Sequence, residues 1–299
     1  GFPSVHIEAG IRTAMIKREI LEEGKGLRDF SFWMKACMDP NNYTFGSHEP
    51  FPEQWNTRAS DAGTGLYMAP TKESAAHLIA EGYPKDRIKM VGNSIVDAMD
   101  FTESIESDIF DQYPSLEAGF VRFCVHRREN TADKDRFESL FACFEQLSER
   151  TDKMLLWIML PGTKAAIKQF GLESRLETLK ERENVLMSDV WPKYSDVMAA
   201  MKHCTLCLTD SGSMQEEMNM MRIPTLTLRY GSDRPETLYA GSNFICPPED
   251  PDFMVWVCEQ ALEHLDQFKF PALYGENVSI SIVKEVEAGL KINFMRLVP

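Results

Sequence analysis

Leu206-Cys207-Leu208-Thr209-Asp210-Ser211-Gly212-Ser213-Met214-Gln215-Glu216-Glu217 is an apolar run that breaks into Asp-Ser-Gly-Ser. It resumes as a helix-compatible stretch, Met214 to Met221, ahead of Pro224. The pattern predicts a strand, a tight turn and a helix N-terminus. Such a turn leaves the first helical N–H groups without partners and aims the positive end of the helix dipole at whatever sits there. Phosphate is the natural occupant. Glu217, on the first helical turn or just past it, is placed to accept hydrogen bonds from sugar hydroxyls, so a diphosphate carrying a sugar or ribose satisfies both ends. The competing reading is plainer: Ser211 or Ser213 caps the helix, and Gln215 to Glu217 are ordinary first-turn acceptors.

Around that stretch lie 299 residues, 43% of them hydrophobic and 26% charged, the composition of a soluble globular protein with one large or two ordinary domains. A formal charge of −14 repels nucleic acid and anionic membranes, so neither is expected as a partner. A nucleotide can still bind where basic groups concentrate, as at His126-Arg127-Arg128 and from Arg229 to Arg234. No apolar run approaches the roughly 20 residues a membrane helix needs, and the opening residues do not read as a signal peptide. The seven cysteines are odd in number and lie mostly in apolar runs, which reads as reduced, buried thiols in the cytoplasm. Cys204 and Cys207 resemble a metal pair, but on a strand an offset of three sends side chains to opposite faces, so no metal is expected. The chain opens Gly1-Phe2-Pro3 without methionine and enters a strand almost at once, the pattern expected of a fragment.

Outward from the turn, the chain alternates strand and helix twice. Val5 to Ile7 is a strand ending in Glu8 and Gly10, and in an open α/β sheet ligands bind at the carboxyl ends of strands. From Ala14 to Phe51 the alternation fades. Met15 to Leu27 is charged and helix-like, Asp29 to Cys37 is aromatic-rich, and the segment reads as a lid or as an insertion against a partner subunit. Pro52-Glu53 opens a helix. Gly65 to Pro70 and Ile88 to Asn93 are strands, each followed by a helix, and Asp108 to Ala118 is a candidate linker. A second alternation starts with the strand Val121 to Val125, ending in His126-Arg127-Arg128-Glu129-Asn130, and continues through Met154 to Leu160, one helical stretch from Thr163 to Arg182, and Val185 to Met187. Strands placed this way argue a parallel sheet covered on both faces.

Seven segments occur in an order and spacing that resemble one family: Val5 to Thr13, Pro52 to Asn56, Ala69-Pro70-Thr71, Val91 to Ala98, His126 to Asn130, Thr209 to Glu217 and Arg234-Pro235-Glu236. They are similar to the signature segments of UDP-N-acetylglucosamine 2-epimerases. That resemblance implies an α/β fold of two Rossmann-like domains of glycosyltransferase-B type, the first incomplete here. The divisions expected are 1–112 with an insertion near 14–51, a UDP-binding domain at 113–274, and a C-terminal helix at 275–299. It implies inversion at C2 by elimination of UDP to a 2-acetamidoglucal and re-addition, without cofactor or metal, in a cytoplasmic homodimer. A hydrolysing 2-epimerase or a glycosyltransferase of the same fold is the alternative, and the chain by itself is expected to turn nothing over.

By the same resemblance Glu8 and Glu53 are the acid/base carboxylates and His126 assists at the glycosidic oxygen or β-phosphate. Ser211, Gly212 and Ser213 cradle the diphosphate, Glu217 takes the ribose hydroxyls, Arg127 and Arg234 supply positive charge, and Tyr194 stands on the uracil side. The chain departs from the family's pattern in several places. Its usual Ser-Gly-Gly is Ser211-Gly212-Ser213, a histidine and asparagine are replaced within Pro161-Gly162-Thr163-Lys164, and Val197 stands where an aromatic is common.

Overall fold

Three sheets form in the computed structural model, which describes residues 4–291. The strands are Val5–Ile7 (β1), Ala14–Ile16 (β2), Tyr43–Phe45 (β3), Leu66–Ala69 (β4), Ile88–Met90 (β5) and Phe120–Cys124 (β6). Met154–Ile158 (β7), Val185–Ser188 (β8), Cys204–Thr209 (β9), Thr225–Thr227 (β10), Gly231–Ser232 (β11) and Asn243–Ile245 (β12) follow. A parallel sheet β1-β4-β5 and a larger parallel sheet β12-β10-β9-β6-β7-β8 are joined by a small antiparallel one, β11-β2-β3.

The order of the larger sheet reverses between β6 and β9: from β6 the chain runs outward to β7 and β8, then returns to the other side of β6. A crevice opens at the carboxyl ends of strands at such a switch point. His126 follows β6 there and Asp210-Ser211 follow β9. Both strands sit deep in the core because their residues are mostly apolar on both faces, Arg122 being the charged exception. Phe123 packs edge-on against Phe144 at 5.2 Å and Trp157 at 4.9 Å. The helix Lys134–Arg150 buries Phe137, Leu140, Phe141, Phe144 and Leu147 along one stripe, and Asp133 caps it by accepting Arg136 N–H at 3.0 Å. Each buried Phe or Leu contributes roughly 1.5–3 kcal/mol.

Two segments take definite courses and one expected helix is divided. Within the 14–51 segment the helices Arg18–Leu27 and Phe30–Met38 lie against the core of the larger sheet, while Phe45 meets His77 at 4.8 Å. Trp33 is fully buried, donates its indole N–H to the Ile245 carbonyl at 3.0 Å and meets Phe253 edge-on, while Phe30 meets Phe244. The cause is β12, an edge strand whose flank needs an apolar cover. The stretch 108–118 is anchored by Ile109 and Leu116, both buried beneath the larger sheet. Thr163 to Arg182 is two helices, Pro161–Gln169 and Glu173–Lys180, broken where Gly171 takes φ +72°.

The helix Val278–Lys291 returns to the smaller parallel sheet, where Val286 packs on Leu66 and Met68; residues 292–299, the end of the expected 275–299 helix, lie outside the described residues. The seam between the two parallel sheets is tight at Gly92. There φ is +96° and a Cβ would lie 2.2 Å from the Tyr274 carbonyl, so only glycine fits, and Asn93 N–H bonds that carbonyl at 2.9 Å. All seven cysteines are free and buried. Among the described residues no helix is long and apolar enough to cross a membrane.

Candidate active site

Asp210, at the end of β9, is completely buried. It accepts the N–H of His126 through both oxygens, at 3.1 and 3.0 Å, and the N–H of Arg127 at 2.9 Å. Asn130 Nδ2 adds a bond of 3.1 Å and also donates to the Leu228 carbonyl. Two loops at the switch point are thereby tied to one carboxylate. His126 Nδ1 stands 3.1 Å from Asp210 Oδ1, at ion-pair distance but off the line a hydrogen bond needs. Burial opposes protonation of the ring, yet Asp210 and, after it, Cys124 outweigh it and the imidazole pKa is held up at about 10. At neutral pH His126 is therefore a cation, suited to give a proton or to face a phosphate.

Ser211 occupies the N-cap of the helix Gly212–Met221 but makes no capping bond. Its hydroxyl lies 3.3 Å from the Ser213 hydroxyl instead, and its N–H goes to Thr209 Oγ1. The capping alternative is thus not realised, and the positive end of the helix has no side-chain cap. Gly212 is required for space: a Cβ there would meet the Asp233 carboxylate at 2.8 and 2.9 Å. Although Asp233 is buried, Arg229 at 2.9 Å and Arg234 at 3.3 Å hold its carboxyl well below the usual range.

Arg234 is the hub of the opposite wall. Its Nε lies 2.6 Å from Glu216 Oε1 and its Nη2 3.9 Å from Glu8 Oε2. Glu8 sits at the end of β1 with φ +63°, a left-handed conformation that costs a non-glycine residue on the order of 1 kcal/mol. The loop after it is fixed by Arg12, buried between Asp61 at 2.7 Å and Glu81 at 2.6 Å. Glu53 opens the helix Glu53–Ala62, half-exposed, and pairs with Arg127. Glu217 is largely buried and accepts from the Tyr194 hydroxyl at 3.1 Å; burial raises its pKa.

The residues singled out in the sequence thus fall into linked groups. Glu8 meets Arg234, Glu53 meets Arg127 beside His126, and Glu217 meets Tyr194 on the helix that Ser211, Gly212 and Ser213 begin. Sequence reasoning missed Asp210, Glu216, Asp233 and Asn93. Asn93 Nδ2 donates to Glu216 Oε1 at 2.9 Å and so links the smaller parallel sheet to the helix behind the turn. The signal was present, since Asp210, Glu216 and Asn93 lie within quoted motifs and Asp233 lies beside one. A separate cavity of about 590 Å³, lined by Met99, Lys202, Arg222, Phe270 and Tyr274, contains none of the predicted site residues.

The sequence profile of the UDP-N-acetylglucosamine 2-epimerase family matches residues 42–286. The chain belongs to this family. A UDP-N-acetylglucosamine 2-epimerase of Methanococcus maripaludis is 29% identical over 247 residues, 80% of this chain and 65% of the relative. One from Methanocaldococcus jannaschii is 30% identical over 199 residues, 65% of this chain and 53% of the relative. The chain therefore spans between half and two thirds of these curated relatives. A solved structure of the Methanocaldococcus jannaschii UDP-GlcNAc 2-epimerase, in complex with UDP-GlcNAc and UDP, superposes with a TM-score of 0.74 at 25% identity, covering 95% of this chain and 69% of that one. The fold of this epimerase-family chain is of glycosyltransferase-B type, with two Rossmann-like parallel sheets.

Proposed function

We propose that this chain carries the UDP-binding half and two of the carboxylates of a UDP-N-acetylglucosamine 2-epimerase. The observation that supports it best is that Glu8 and Glu53 each reach a guanidinium, Arg234 and Arg127, that borders the crevice above the Ser211 turn. The chemistry asks for that arrangement. The C2 proton is weakly acidic and needs a positioned base, while the departing UDP gains charge on its β-phosphate and needs cations and N–H groups.

In the reaction one carboxylate removes the C2 proton as the C1–O bond breaks, leaving a 2-acetamidoglucal and UDP. Protonation at C2 from the opposite face and return of UDP to C1 complete the inversion. Glu8 and Glu53 serve as the acid/base pair. His126, charged at neutral pH, faces the glycosidic oxygen or β-phosphate with Arg127 beside it. The helix N-terminus at Ser211, Gly212 and Ser213 receives the diphosphate, Glu217 the ribose hydroxyls, Arg234 adds charge, and Tyr194 lies toward the uracil. A division at residues 112 and 274, a homodimer and residence in the cytoplasm belong to the same proposal; the last is supported by seven free, buried cysteines.

Full-length protein incubated with UDP-N-acetylglucosamine in deuterium oxide is expected to place deuterium at C2. Absence of both exchange and UDP release overturns the assignment.

A further inference from the structure

A buried carboxylate is retained where donors satisfy it, and those of Asp210 come from one corner of the chain: His126 N–H, Arg127 N–H and Asn130 Nδ2, all between 2.9 and 3.1 Å. The residue also begins the phosphate turn, since Ser211 follows it and its own N–H donates to the Cys124 carbonyl at 3.3 Å. One side chain thus joins the loop bearing the two cations to the turn bearing the two hydroxyls. Building on the epimerase reading, we propose that Asp210 is a positioning residue, clamping the His126–Arg127 corner so that imidazole and guanidinium face the charge developing on the departing diphosphate. It acts through those two residues and touches no substrate.

Of the other groups packed around His126, Cys124 also favours the charged ring, and the rest carry no negative charge to it. Cys124 presents a thiol from β6, and the helix Pro161–Gln169 brings the uncharged Gly162, 3.6 Å from the His126 carbonyl at its Cβ position, and Thr163, bonded to the Val125 carbonyl. Arg127, next in the chain, is itself paired with Glu53. Asp210 is the carboxylate that reaches the ring.

Three measurements on the parent protein and Asp210→Asn test the clamp: the NMR titration of the His126 ring, hydrogen exchange of the His126 and Arg127 amides, and calorimetric titration with UDP. In the parent the ring is expected to titrate well above the ordinary value of about 6.5, with both amides protected. In Asp210→Asn the midpoint falls by more than about one pH unit, both amides exchange faster, and UDP binds about tenfold more weakly, the scale of one lost charge-assisted bond. An unmoved His126 midpoint overturns the proposal, whatever happens to melting temperature. Should Asp210→Asn fail to fold, an ordinary midpoint with unprotected amides in the parent overturns it equally. Because none of these readouts requires turnover, absent C2 exchange with a shifted midpoint refutes the epimerase reading and leaves the clamp standing.

Discussion

Asn93 donates its side-chain N–H to Glu216 Oε1 at 2.9 Å, and through that bond a loop of the smaller sheet holds the carboxylate that steadies Arg234. Glu216 has no access to solvent worth the name, and burial pushes its pKa to about 7 even with Arg234 beside it. Glu236, bonded to the Tyr274 hydroxyl at 2.9 Å, is pushed to about 8 for the same reason. A carboxyl whose folded pKa exceeds its unfolded value of 4.5 keeps its proton in the folded chain after the unfolded chain has lost it. Between pH 4.5 and about 8 stability therefore falls as pH rises, by a few kcal/mol at most for the two together with the Arg234 attraction shared between them. Asp233 has the opposite sign, but its contribution is lost only as pH drops below about 4.

The urea midpoint is accordingly expected to be higher at pH 5 than at pH 8. Glu236→Gln, which keeps an acceptor for Tyr274, is expected to reduce the difference. A midpoint that rises from pH 5 to pH 8 in the parent contradicts this account of the seam.

Gly212→Ala is expected to damage both folding and UDP binding. The added Cβ lies 2.8 Å from the Asp233 carboxylate, which Arg229 and Arg234 grip and which has no room to retreat. Overpacking of this kind costs about 1–3 kcal/mol. Displacing Asp233 also moves Arg234, so UDP affinity by calorimetry should drop at least about tenfold. An alanine variant that binds UDP like the parent shows that the turn has slack the distances deny.

Much of this was legible in the chain because it is local. The run Leu206 to Thr209 into Asp-Ser-Gly-Ser announces strand, turn and helix within a dozen residues, and Glu8, His126 and Ser211 stand at strand ends, where crevices form. What sequence reading lost depends on distant partners. Trp33 meets Ile245 across 212 positions, so nothing local in its segment, read as a lid or as an insertion against a partner subunit, points to that contact. Asp210 read as the first residue of a turn, since nothing local reveals that His126 and Arg127, more than 80 residues earlier, surrender their N–H groups to it. Gly171 is the local exception: a single residue in a helical pattern, its left-handed φ closes the first helix, with Leu172 N–H bonded to the Ile167 carbonyl at 2.9 Å.

Trp33→Ala tests that long-range packing directly. The ring is fully buried against Phe253 and its N–H is bonded to the β12 carbonyl, so truncation leaves both a cavity and an unpaired acceptor. A loss of about 3–5 kcal/mol is expected in urea unfolding followed by circular dichroism. A loss under about 1 kcal/mol would mean that the segment rests on the larger sheet without belonging to its core.

Glu53→Gln separates binding from chemistry. In the unliganded protein Glu53 is paired with Arg127, so its charge partly cancels the guanidinium that the diphosphate needs. Neutralising it frees that cation, and UDP alone should bind as well as before or more tightly. The same change removes one of the two carboxylates proposed to move the C2 proton, and loss of such a group costs about 10²–10⁴ in rate. Exchange of the C2 proton in deuterium oxide should fall by that factor while UDP affinity holds or improves, and Glu8→Gln should reproduce the rate loss through the carboxylate that meets Arg234. Parallel losses of affinity and exchange in Glu53→Gln would instead make Glu53 a scaffold for Arg127, leaving proton transfer to Glu8 and a group yet to be located.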